Sequence, residues 1–136
     1  MKNQKTEYIK NWLIKANEDI DVIVQLSVEH PENYTSAISF HSQQAIEKFL
    51  KAFLIYKDIE FERTHDVDFL LIKCLSVEKS GFEDLDLKNV NDYAVTVRYA
   101  DDFLIPALKE ALENKEIALQ VKNIVESKIK FKDKKK

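Results

Sequence analysis

The chain has 136 residues, 45% of them hydrophobic and 33% charged, a balance that supports one folded domain with a real core and excludes disorder along most of its length. Its net charge of −3 excludes a global positive field for gripping nucleic acid, so any such binding has to use a local patch. One glycine and two prolines leave almost no punctuation for hairpins, which points away from strands and toward helices.

In chain order, the polar opening Met1, Lys2, Asn3, Gln4 and Lys5 leads into an amphipathic segment, so neither a signal peptide nor a bilayer-spanning run is expected. Residues 6 to 28 carry Trp12, Ala16, Ile20 and Ile23 at spacings of three and four, with Lys15, Glu18 and Asp21 between them, the pattern of an amphipathic helix. It is expected to stop at His30-Pro31-Glu32-Asn33, because proline disfavours helical geometry in the residue before it and cannot continue the hydrogen-bond ladder.

The second helix is predicted over 34 to 56. Its apolar set, Ala37, Phe40, Ala45, Phe49, Ala52, Phe53 and Tyr56, covers more than one narrow stripe, which marks a central helix. After a loop over 57 to 63, Thr64-His65-Asp66 opens a short third helix, with Thr64 as the expected cap and Asp66 in its first turn. That helix is expected to bury Val67, Leu70, Leu71, Cys74 and Leu75, with Gly81 beyond its end as the residue suited to a left-handed stop.

A fourth helix over 87 to 99 is predicted from Val90, Ala94 and Val97 on one side, with Tyr93 beside them. An irregular connection ends at Pro106, just ahead of a last helix over 107 to 131 that carries Leu108, Ala111, Ala118, Val121 and Val125. The expected architecture is therefore all-α, an antiparallel bundle of about five helices with a four-helix core over 1–131. Residues 132–136 are expected to form a basic, disordered tail. Cys74 lies on an apolar helix face and reads as a reduced core thiol, which fits a cytoplasmic protein.

The stretch Phe40-His41-Ser42-Gln43-Gln44-Ala45-Ile46-Glu47-Lys48-Phe49-Leu50-Lys51-Ala52 is the most informative. On a helix His41, Gln44, Lys48 and Lys51 share one face, and an imidazole, an amide and two ammonium groups can serve a phosphate or a nucleobase. The same face also reads as a solvated or dimer edge. Two arginines occur, Arg63 and Arg98. Arg98 is either a phosphate ligand or a partner of Asp101 and Asp102. His65 either orients a ligand or bonds to its own loop. The three histidines and single cysteine lack paired ligand spacing, and no glycine-rich phosphate loop exists, so neither a metal nor a cofactor is expected.

Trp12 with Ala16, the helix-two stretch, Thr64-His65-Asp66, and Val97-Arg98-Tyr99-Ala100-Asp101 together resemble a HEPN domain along nearly the whole chain. The resemblance implies a helical bundle that pairs into dimers, associates with a nucleotide or RNA, and in many cases works beside a minimal nucleotidyltransferase. One branch of that family cleaves RNA without metal, using an arginine followed four to six residues later by a histidine. Here the positions after Arg98 hold Phe103, Leu104 and Ile105, and those after Arg63 hold Asp68, Phe69 and Leu70. Apolar side chains move no protons. Ala100 also stands where the family's usual proline follows Arg-Tyr.

The reading that follows is a non-catalytic module, homodimeric and paired with a nucleotidyltransferase in a toxin-antitoxin or defence-like system. Its ligand groups are expected at His41, Gln44, Lys48, Lys51, His65, Arg98 and Tyr99, in a crevice between helix two and the end of helix four. A ribonuclease with catalytic groups assembled from Arg98 and His41 or His65, and a purely structural dimerisation partner, are the alternatives.

Overall fold

A computed structural model describes residues 2–94 and 105–131 of the chain. Four α-helices, α1 (Lys2–Leu26), α2 (Thr35–Tyr56), α3 (Val67–Val77) and α4 (Leu108–Lys128), make up the described architecture, with 3₁₀ turns at Pro31–Asn33 and Val90–Tyr93. The first helix begins before the periodic residues that announce it, and Ile9 is already buried there. The chain turns after α1 through His30, whose φ of 53° is left-handed, and Pro31 then opens the 3₁₀ turn.

Helix α2 is the centre of the molecule because its apolar residues cover most of its circumference. Ile38, Ala45, Ile46, Phe49, Leu50, Ala52, Phe53 and Leu54 are all fully buried, and each large side chain removed from water contributes about 2 kcal/mol before conformational entropy is set against it. The helix ends in a Schellman closure, with Asp58 at φ 60° while Ile59 N donates to Leu54 O and Asp58 N to Ile55 O.

Helices α1 and α4 pack on α2, and α3 packs across it. Lys5 pairs with Asp58 and Asp19 with Lys48, so α1 and α2 are antiparallel. Asn17 meets Glu126 and Lys10 meets Phe131, so α4 is antiparallel to α1 as well. Hence α2 and α4 run in the same direction, joined near one end by the buried Asn114–Ser39 hydrogen bond and near the other by Tyr56 Oη, which accepts from Lys130 N. Parallel neighbours need a long connection, and α3 lies within it.

Three local expectations change. Asp66, not Thr64, caps α3, accepting from Phe69 N at 3.1 Å; Thr64 Oγ1 instead accepts from Asp66 N and shapes the turn ahead of it. Helix α3 stops at Val77 with Glu78 extended, so Gly81 (φ 84°) serves a following turn rather than the helix end. The predicted fourth helix does not begin at Leu87: Asp86 Oδ1 accepts from Lys88 N and Lys88 takes a left-handed φ of 49°, which breaks helical continuation until the short turn at Val90. The remainder of that predicted helix, 95–99, and most of the connection after it lie outside the described residues. In α4, Ala111, Ala118, Val121 and Val125 are buried, whereas Leu108 stays exposed at the helix start.

Candidate functional site

One edge of the α1–α2 pair is polar throughout. Lys5, Trp12 and Asp19 stand seven residues apart on α1, which keeps them in one line along a helix. Lys5 reaches Asp58 at 2.9 Å. Trp12 lies under the Lys51 ammonium, 5.5 Å from the ring centroid, with Tyr8 against its edge. Asp19 receives both His41 and Lys48.

The Asp19 carboxylate organises the upper half of this seam. Its Oδ1 lies 2.8 Å from His41 Nδ1 and its Oδ2 2.7 Å from Lys48 Nζ, while only 10% of its side chain is exposed. A carboxylate beside an ammonium accepts, so His41 Nδ1 carries a proton and donates to Asp19. Phe40 holds the ring from the side at 5.2 Å.

Glu47 organises the lower half in the same way. It is buried together with Lys51, whose Nζ donates to Oε2 at 2.8 Å, and His65 Nδ1 lies 3.0 Å from its Oε1. Gln43 Nε2 donates to Glu47 Oε1 and to the His65 carbonyl, which pins the turn ahead of α3 to α2. Gln44 Nε2 donates in turn to Gln43 Oε1 at 2.7 Å, which extends the Glu47 cluster by one more amide.

Five of the seven residues singled out in the sequence fall along this seam in two clusters, His41 and Lys48 on Asp19 and Gln44, Lys51 and His65 around Glu47. Arg98 and Tyr99 lie outside the described residues. The seam differs from the expected cationic flank in one important respect: Asp19 and Glu47 face the two lysines, so their charges are directed inward and offset. Lys51 is a buried structural cation, and His65, with 69% of its side chain exposed, is the most open member.

Asp19, Gln43 and Glu47 were not among the expected site residues. A signal for Asp19 exists, since it sits between Ala16, Ile20 and Ile23 on the buried stripe of α1, and an acid there needs a cation facing it. Gln43, Glu47 and Lys51, each four residues from the next, carry the matching signal on α2.

Around the next groups the charges have other causes. The Asn91 amide donates to Asp66 and Asp68. Asp66 is held below the usual carboxylate range by Asn91 and by the Phe69 amide, while partial burial and then the neighbouring Asp66 raise Asp68. Among the described residues no group of three or more His, Cys, Asp or Glu side chains is arranged to hold a metal ion, and no helix is long and apolar enough to cross a membrane.

A helical bundle around one buried central helix, with a carboxylate-organised polar seam along its first two helices, is the class of protein this fold defines. The HEPN domain family model matches residues 9–134, and the chain belongs to the HEPN family. The crystal structure of an archaeal HEPN homologue is similar in fold, with a TM-score of 0.63 at 21% identity over 90% of this chain and 98% of that one. No curated protein matches the chain.

Proposed function

We propose that this HEPN chain is a non-catalytic module that takes a nucleotide or an RNA on the α1–α2 seam. In this reading it works as a cytoplasmic homodimer with a minimal nucleotidyltransferase partner, in a toxin-antitoxin or defence-like system. The dimer and the partner rest on family membership. The observation that carries the ligand reading is the Asp19 carboxylate gripping His41 and Lys48, which fixes two polar side chains of α2 at a partly open edge and so reduces the ordering cost of binding.

Arg98 and Tyr99, outside the described residues, belong to the ligand groups expected from the sequence. The test is calorimetric titration of ATP, GTP and a short RNA into the protein and into Gln44→Ala and Arg98→Ala, two changes that leave the Asp19 pairs intact. Binding weakened about fivefold or more by either change supports the site, a loss the size of one hydrogen bond. Absence of binding by all three ligands, or binding unaffected by both substitutions, removes it.

A second reading has its own observation. An imidazole whose Nδ1 rests on a buried carboxylate is the arrangement of a general base and its orienter, and His41 and His65 both have it. With Arg98 to stabilise a phosphate, either ring can serve an RNA-cleaving toxin. Expression of the chain then arrests growth and degrades RNA, and intact RNA together with silent His41→Ala and His65→Ala changes ends this reading.

A further inference from the structure

We propose that Asn91 is a positioning residue of the seam: from the 3₁₀ turn at Val90–Tyr93 it holds the turn that carries His65 against α2. Helix α2 anchors that turn from one side, with His65 Nδ1 3.0 Å from Glu47 Oε1 and the His65 carbonyl accepting from Gln43 Nε2 at 2.8 Å. From the other side Asn91 engages it with every polar atom of its side chain. Its Oδ1 accepts from Val67 N at 2.9 Å, and its Nδ2 donates to Asp66 Oδ1 at 2.7 Å and to Asp68 Oδ2 at 3.0 Å.

The Val67 amide belongs to the first turn of α3 and has no acceptor within the helix. Asp66 Oδ1 already takes Phe69 N, so a second cap for the helix arrives from a residue 24 positions later in the chain. Asn91 is itself well anchored. Val90 is fully buried and Tyr93 is 5% exposed, with the Tyr93 hydroxyl bonded to Glu110 in the first turn of α4. A line of contacts thus runs from α4 through Tyr93, Asn91 and Asp66 to His65, and from there to Glu47 on α2.

An amide is the group this position requires. Asp66 and Asp68 carry like charges two residues apart, and the Asn91 amide does most to hold Asp66 below the usual carboxylate range. Two N–H donors bridge the carboxylates while the oxygen serves Val67, a set that an amide side chain offers on one rigid plane. The body of α3 does not depend on it, because Val67, Leu70, Leu71 and Cys74 are buried in the core. Loss of the amide therefore frees the turn ahead of α3 and leaves the helix docked. The His65 side chain is 69% exposed, so packing alone does not fix it.

The test is NMR of the unaltered protein, Asn91→Ala and Asn91→Asp, the last a near-isostere that keeps an acceptor for Val67 N and loses both donors. The reporter is the buried Gln43 side-chain amide, which bonds to His65 and not to Asn91. In both variants its protons exchange with water about tenfold faster, the effect of one hydrogen bond of ordinary net strength. The His65 ring loses its nuclear Overhauser contacts to Glu47, while Cys74 stays closed to a thiol reagent. Gln43 and His65 signals that match the unaltered protein overturn the proposal, and so does a disturbance in Asn91→Ala that Asn91→Asp fully restores. A Cys74 made reactive by both changes also overturns it, because Asn91 then holds α3 as a whole.

The consequence for binding rests on the reading that the seam takes a ligand. A short single-stranded RNA then binds either variant about fivefold less tightly, since the His65 side chain has to be ordered on binding. Unchanged affinity with a freed turn overturns the positioning role. Absence of binding to every form ends the seam reading, and the Gln43 and His65 signals still decide for or against Asn91.

Discussion

Asp19 on α1 and Lys48 on α2 close an interhelical ion pair at 2.7 Å, and the same carboxylate fixes His41. One acid on the buried face of α1 thus sets both the packing of two helices and the direction in which an imidazole faces. Removing it strands its partners, whereas removing Lys48 does not strand Asp19 to the same degree.

Asp19→Ala is therefore expected to lower stability by about 3 kcal/mol, the scale for breaking a buried pair from one side. Lys48→Met should cost less, since its side chain is 22% exposed and Asp19 keeps His41. Urea unfolding of both variants checks the order, and equal losses would contradict it.

Glu78 ties three helix ends together. The Lys128 side chain, and then Lys57, hold its carboxyl below the usual value of 4.5, with Lys57 Nζ at 3.2 Å. The pKa is depressed on folding, so this contribution is fully present above about pH 4.5 and is lost as pH falls through the lower, folded value. The site is partly solvated and the effect is small. Thermal melts against pH should show a shallower acid-side decline for Glu78→Gln than for the unaltered chain, and parallel curves would count against the clasp.

At Gly81 the backbone has φ 84°, and an added Cβ would lie 3.3 Å from both Ile124 Cγ2 and Lys128 Cε. Gly81→Ala combines left-handed strain with crowding against α4. A loss of about 1–2 kcal/mol is expected, read as a lower urea midpoint with an unchanged slope.

Cys74 lies fully buried between α2 and α3, and burial pushes its thiol up to about 12. At pH 8 the native protein should be unreactive toward a thiol reagent, because the nucleophilic form is absent and unreachable. Denaturant should release full reactivity. Rapid labelling of the native chain would show that α3 does not stay docked.

The bundle was legible because its signals are local and repeated: Ala16, Ile20 and Ile23 on one stripe of α1, and an α2 apolar on nearly every side. The region from Leu87 was misread as the start of a helix because Val90, Ala94 and Val97 carry helical spacing, while the Asp86 side chain that turns the backbone at Lys88 leaves no periodic trace. The cap of α3 was one residue pair away from the expected Thr64, since Thr64 and Asp66 are both capping types and only the position of Phe69 N selects between them. At the site, the lysines and the one histidine of α2 were visible from spacing alone. Their inward direction was not, because it depends on Asp19, contributed by another helix 29 residues before Lys48.

The central claim is that Asp19 fixes His41 through Nδ1 on a seam that takes a ligand. Nitrogen-15 NMR of the histidine side chains, recorded before and after addition of a short RNA, tests it most directly. The account predicts a His41 Nδ1 that carries a proton and stays bonded to Asp19 throughout, and an Nε2 resonance that moves on titration. A His41 Nδ1 without a proton in the free protein, or RNA-induced shifts that bypass His41 and gather on another face of the bundle, would contradict it.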